Sequence, residues 1–140
     1  MDKILVDTNV VLDLLSERKG FIEETQIFFT LASQDKIKLF VSTLTFANAH
    51  YILSNQMKIS GAQKILRKFK ILVDCVSFDE KILELSLDSK FKDYEDSIQY
   101  YSALACSADL IVTRNKKDFK LSSLPVLDVK EYLMLKKADL

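Results

Sequence analysis

The sequence predicts an α/β domain, a three-layer α/β/α sandwich around a short-stranded, mainly parallel central sheet. Three observations carry that prediction. Apolar runs of two to four residues recur along the whole chain, and most neighbouring runs are separated by stretches with helical apolar spacing. Only two glycines and one proline are present, and no linker-like segment or internal repeat divides the chain. Its 140 residues therefore suit a single domain, 1–140, large enough to bury a core.

In order, Ile4-Leu5-Val6 reads as a strand (3–6), and Val10, Val11, Leu12, Leu14 and Leu15 give a helix near 9–18 its apolar face. Gly20 interrupts it, and a second helix runs near 21–34 with Phe21, Ile27, Phe28 and Leu31 at core-like spacing. Lys38-Leu39-Phe40-Val41 is a short strand, after which Ser42-Thr43 supplies capping chemistry for a helix through about Asn55. Gly61 sits near the start of a basic helix, 60–69, and Ile71-Leu72-Val73 reads as the third strand. Helices near 78–89 and 94–108 lead to the strand Leu110-Ile111-Val112. Val126-Leu127, after Pro125, is the last strand, and a helix near 129–136 closes the domain.

With 49% hydrophobic and 29% charged residues, the chain is excluded from the disordered class. No basic stretch followed by an apolar signal segment opens it, and nothing approaches a run of eighteen apolar residues. No membrane partner is expected, and the cytoplasm is the expected compartment. Cys75 and Cys106 lack metal or redox spacing and read as buried thiols. Net charge is zero but uneven. Residues 56–72 hold five basic residues and no acid, whereas 74–109 hold nine acids against three lysines. Arg114, Lys116, Lys117 and Lys120 then cluster. A basic strip beside an acidic focus suits a polyanion with metal ions offsetting the acids, although solvated helix faces give similar counts.

Asp7-Thr8-Asn9 follows the first strand, and ligands of open α/β sheets bind beyond such strand ends. Asp7 serves equally well as a helix cap. Asp7, Ser42-Thr43 and Thr113 follow three different strands and should emerge at one sheet edge. Asp96 lies in the first turn of a helix, and Asp93, Glu95 and Asp96 are a denser acidic point than one cap requires. Asn48 is four residues from both Leu44 and Ile52, so it shares their expected packed stripe and needs a polar partner.

Brought together, Asp7 and Asp96 would hold a hard cation, Mg²⁺ or Mn²⁺. Such an ion activates water and stabilises a transferring phosphoryl group. Thr8, Thr113 and Asn115 would hydrogen-bond water or phosphate, and Arg114 and Lys116 would hold a substrate backbone. Asp118 would reach the same site or cap the helical turn ending at Phe119. His50, the only histidine, reads as a helical residue at or near the surface. No glycine-flanked nucleophile, glycine-rich phosphate loop or dinucleotide fingerprint is present. A receiver-like fold would need paired acids before Asp7 and a phospho-acceptor strand, and the chain has neither.

The motifs together resemble a PIN domain, the nuclease fold of toxins in VapBC-type toxin–antitoxin pairs. The resemblance rests on Ile4-Leu5-Val6-Asp7-Thr8-Asn9-Val10-Val11-Leu12-Asp13-Leu14-Leu15, on Val41-Ser42 with the helix through Asn48, and on Tyr94-Glu95-Asp96-Ser97-Ile98-Gln99. It continues through Ala108-Asp109-Leu110-Ile111-Val112-Thr113-Arg114-Asn115-Lys116-Lys117-Asp118-Phe119 and the ending Leu124-Pro125-Val126-Leu127. It implies a Mg²⁺- or Mn²⁺-dependent endoribonuclease, usually dimeric and neutralised by a small antitoxin. Asp7 takes the first acidic position and Asp96 the third. The second and fourth positions, usually Glu and Asp, fall on Asn48 and Asn115. Thr8 and Thr113 match supporting polar positions.

The two amides are the departure, and the chain resembles a PIN subgroup with Asn at both places. An amide oxygen can ligate a hard cation but carries no charge and cannot act as a base. Asp93, Glu95 and Asp118 are the acids available to compensate. The expected activity is metal-dependent RNA hydrolysis by a toxin component. The alternative is a weakly active or inactive PIN domain that binds RNA or protein.

Overall fold

The computed structural model describes residues 1–138. Its centre is β1 (Lys3–Val6), whose Ile4, Leu5 and Val6 are all fully buried. Successive side chains on a strand alternate between the two faces of the sheet. Ile4 and Val6 accordingly enter one core and Leu5 the other. Burial on both faces is what makes this strand read as an unbroken apolar run.

Five strands, all parallel, form one sheet in the order β3-β2-β1-β4-β5, with β2 at Lys38–Ser42, β3 at Asp74–Val76, β4 at Leu110–Val112 and β5 at Val126–Leu127. From β1 the chain winds outward through β2 and β3, then returns to the opposite side of β1 with β4. The carboxyl ends of β1 and β4 therefore flank a topological switch point, the place where such sheets bind ligands. Leu5 pairs with Ile111 and Val6 with Val112, so Asp7 and Thr113 leave the sheet side by side.

Seven α-helices among the described residues cover the sheet: α1 (Thr8–Leu15), α2 (Ile22–Ser33), α3 (Thr43–Tyr51), α4 (Ala62–Phe69), α5 (Glu80–Leu87), α6 (Tyr94–Ala105) and α7 (Val129–Ala138). One core joins Val10, Phe28, Phe29, Phe69 and Tyr132 to Ile4 and Val6. Phe28 meets Phe29 and Tyr132 edge-on, with ring centroids 5.3 and 5.7 Å apart. On the opposite face, Ile82 of α5 and Ile98, Tyr100 and Ala103 of α6 pack on Leu5 and Ile111. The three-layer α/β/α sandwich is the arrangement predicted from sequence.

Three local expectations are corrected. The third strand is Asp74–Val76, not 71–73, because α4 runs on through a 3-10 turn at Lys70–Leu72 before the ladder with β2 begins. Ile71 is left 84% exposed. Cys75 is exposed, since β3 is an edge strand, while Cys106 is partly buried and burial pushes its thiol pKa up. The buried stripe of α3 and the wide π-turn that continues it (Ile52–Gln56) is Thr45, Ala49 and Leu53. Asn48 lies one position to the side and is half-buried.

Candidate functional site

Asp7 directly follows β1 and caps α1, and it is only 6% exposed. Its Oδ1 accepts the Thr8 backbone N–H at 2.7 Å and its Oδ2 accepts the Thr113 hydroxyl at 2.8 Å. The Thr113 oxygen in turn accepts from Asn9 Nδ2 at 3.3 Å and from the Asn115 N–H at 3.1 Å. A hydroxyl has one proton and two lone pairs, so Thr113 is saturated and its proton is committed to Asp7. It has nothing left for water or phosphate, one role expected from sequence, and instead supports Asp7, the other role the resemblance implied. Asn9 completes the clamp by accepting the Arg114 N–H on its Oδ1 at 3.2 Å.

A second polar triangle joins α1, α3 and α6. Gln99 Nε2 donates to Thr8 at 3.2 Å and to Thr45 at 2.9 Å, and the two threonine hydroxyls are 2.9 Å apart. Thr45 is 1% exposed, and Thr8 is the only acceptor its proton has among the described residues. An unsatisfied buried donor is costly, so Thr45 donates to Thr8. The half-buried Thr8 hydroxyl then holds a proton with no acceptor among the described residues. Gln99 Oε1 is buried without a partner among the described residues. Turning the amide over would orphan two donors instead of one acceptor, so the present orientation is the better one.

Asp96 is not the cap of α6. Asp93 fills that role by accepting the Asp96 N–H at 3.0 Å. The Asp96 carboxylate itself receives no hydrogen bond from the described residues. Desolvation, followed by the charges of Asp7, Asp93, Asp118 and Glu95, raises its pKa to about 7. Burial also raises the pKa of Asp7, against the donors Thr113 and Thr8 and with smaller additions from Asp93 and Glu95. The acids singled out from sequence therefore share one field, with Asp96 at its focus.

Asn115 and Asp118 lie on or beside the 3-10 turn Lys116–Phe119, where the Asn115 carbonyl accepts the Asp118 N–H at 3.0 Å. The Asn115 side chain is exposed, and neither it nor that of Asn48 makes a hydrogen bond to the described residues. Asn48 stands on α3 three residues beyond Thr45, on the helix that the Thr8 bond fixes against α1.

The two cations expected beside the acids are turned elsewhere. Arg114 Nε donates to Asp13 Oδ2 at 2.8 Å, with its guanidinium 5.1 Å from the Phe21 ring centre. Lys116 Nζ pairs with Glu131 Oε1 of α7 at 2.7 Å, which raises the lysine pKa. Asp13, Thr45 and Gln99 were missed as site-building residues. Their signal was polarity inside apolar helix faces, most plainly Asp13 within Val10–Leu15. Asp13 is 2% exposed, and Arg18 lies 3.9 Å from its other oxygen.

A model of the PIN domain family matches residues 3–117. The chain belongs to the PIN domain family. Over 135 residues, the PIN chain is 28% identical to ribonuclease VapC1 of Aquifex aeolicus, covering 94% of this chain and 93% of that protein. The PIN fold also superposes on the DNA-bound VapBC structure of Salmonella typhimurium with a TM-score of 0.70 at 16% identity, covering 92% of this chain and 99% of that one. A toxin–antitoxin complex from Klebsiella pneumoniae gives a TM-score of 0.64 at 21% identity over 90% and 97% of the two chains.

PIN membership implies a divalent cation, and the donor set can be tested for it. Among the described residues no group of three His, Cys, Asp or Glu side chains is placed to hold a metal. Mg²⁺ is commonly held by only one or two carboxylates, with water and phosphate oxygens completing its shell. Asp7 keeps free lone pairs on both oxygens, and Asp96 has no donor to neutralise it. This donor set fits a two-carboxylate cation site.

Proposed function

We propose that the chain is a Mg²⁺- or Mn²⁺-dependent endoribonuclease and the toxin component of a type II toxin–antitoxin pair. The observation that supports this most is the Asp96 carboxylate, left without a donor in the field of Asp7, Asp93, Asp118 and Glu95. Repulsion between the buried Asp7, the half-buried Asp96 and the exposed acids around them favours binding of a cation. The similarity to ribonuclease VapC1 supports the activity, and the VapBC and toxin–antitoxin complexes among its structural neighbours support a small antitoxin as partner. A homodimer acting on RNA in the cytoplasm completes the proposal, as a member of the PIN subgroup with Asn at the second and fourth acidic positions.

Asp7 and Asp96 are the residues that would hold the ion. When bound there, it supplies positive charge to the transferring phosphoryl group and acidifies the attacking water. Asp7 is held in place by Thr113 and by the Thr8 N–H, which fixes the direction in which its free lone pairs point. The uncommitted Thr8 proton is available to a phosphate oxygen or to water. Asn48 and Asn115 contribute neutral amide oxygens and donors. They orient without acting as a base, so deprotonation of the water falls to Asp7, Asp96 or an outer acid such as Asp93, Glu95 or Asp118.

Cleavage of a mixed RNA pool by wild type, Asp7→Asn and Asp96→Asn tests the proposal. Loss of even outer-shell partners commonly costs 10–100-fold in metal sites, so each substitution is expected to cost at least ~100-fold in Mg²⁺- or Mn²⁺-dependent rate. No cleavage by wild type, or equal cleavage by all three, overturns it. The two amides favour one other reading, a PIN domain that binds RNA or protein without cutting. Retained RNA or partner binding with no metal-dependent cleavage supports that alternative.

A further inference from the structure

We propose that the groove between the segment preceding α6 and the turn following β4 holds the phosphate backbone of an RNA strand on its way to Asp96. The groove has a volume of about 450 Å³ and is lined by Lys90, Lys92 and Asp93 on one wall and Lys117, Asp118 and Lys120 on the other. The inference rests on the ribonuclease reading for its substrate and assigns the entry route, which sequence had placed at Arg114, Lys116 and Lys64, Arg67, Lys68 and Lys70 of the basic strip 56–72.

Three features favour this route. First, none of the four groove lysines forms an ion pair or hydrogen bond among the described residues, although Asp93 and Asp118 stand in the same groove. Arg114 and Lys116, by contrast, are committed to Asp13 and Glu131. Second, Asp93 of the groove wall accepts the Asp96 N–H at 3.0 Å, so the groove opens beside the candidate centre. Third, both walls are anchored on α6. Phe91 packs on Tyr100 at 5.3 Å and on Phe119 at 6.2 Å, and the Tyr100 hydroxyl is 2.9 Å from Ser123 Oγ. The anchored walls hold the backbones that carry the lysines, whose flexible ammonium groups act as point charges toward phosphates and carry no base information.

The test measures binding of a single-stranded oligouridylate without divalent cations, which separates binding from cleavage. Lys90→Gln/Lys92→Gln and Lys117→Gln/Lys120→Gln are compared with Lys64→Gln/Arg67→Gln/Lys68→Gln on α4. Each groove pair is expected to weaken binding roughly 10-fold or more, and to reduce the log–log salt slope by about 1.4 if two phosphate contacts are lost. The corresponding Lys→Arg pairs are expected to keep wild-type affinity, which guards against misfolding as the cause. Loss confined to the α4 variant, unchanged binding in the groove variants, or no binding by wild type overturns the proposal. Cleavage assays on the same proteins separate the two readings. Groove-dependent binding with no wild-type cleavage sinks the nuclease alone, and wild-type-like binding and cleavage by the groove variants sink the groove alone.

Discussion

At the scale of the residue, a single hydroxyl orders the candidate centre. Thr113 gives its proton to Asp7 and accepts two others, so its replacement tests the clamp. Thr113→Val keeps the shape but leaves a buried carboxylate short of a donor and two N–H groups short of an acceptor. It is expected to cost about 1.5–3 kcal/mol in urea unfolding. Thr113→Ser preserves all three bonds and should cost about 1 kcal/mol for the lost methyl group. Equal stability of the two variants would show that the clamp contributes little. Asp7, Thr8, Asp96 and Thr113 were legible in sequence because each stands at a strand end or in a first helical turn. Asp13, Thr45 and Gln99 were not, because their importance lies in partners 101, 37 and 91 residues away along the chain.

At the scale of the element, sequence located every strand but misplaced one. The run Ile71-Leu72-Val73 has strand composition, yet its residues extend α4 as a 3-10 turn and the ladder starts at Asp74. Composition reports which residues can be buried, whereas a ladder needs a neighbouring strand in register, and only the fold supplies that. The difference predicts two outcomes in chemical denaturation. Ile71→Ser is expected to change stability by no more than about 0.5 kcal/mol, as for an exposed residue. Val76→Ala, at an 8% exposed position on the true strand, should cost about 1–2 kcal/mol. A larger cost at 71 than at 76 would restore the strand expected from sequence.

Across the whole molecule, the acids couple folding to pH. Asp96 has a folded pKa of about 7, above the ordinary 3.8, so the folded chain binds its proton more tightly than the unfolded chain does. That contribution is fully present below about pH 4 and is lost as pH rises through about 7. Asp7, whose pKa burial also raises, acts in the same direction. Metal-free protein is therefore expected to melt at lower temperature at pH 8 than at pH 5.5, and Asp96→Asn to flatten the dependence. Mn²⁺ should raise the melting temperature of wild type more at pH 8, where the carboxylates are ionised. A cation effect that is the same at both pH values, or that persists in Asp96→Asn, would place the ion elsewhere.

The pairing of the first strand with the fourth has a consequence in time. Asp7 is made early, but its clamp includes Thr113 and its neighbouring acid is Asp96, so a growing chain carries half a site for most of its synthesis. Ribosomes add about 5–20 residues per second. The interval between the two halves is therefore about 5–20 s for the 106 residues that separate them, and the clamp cannot close until β4 has docked beside β1. The candidate centre of a nascent chain therefore stays incomplete until β4 has been made and paired with β1.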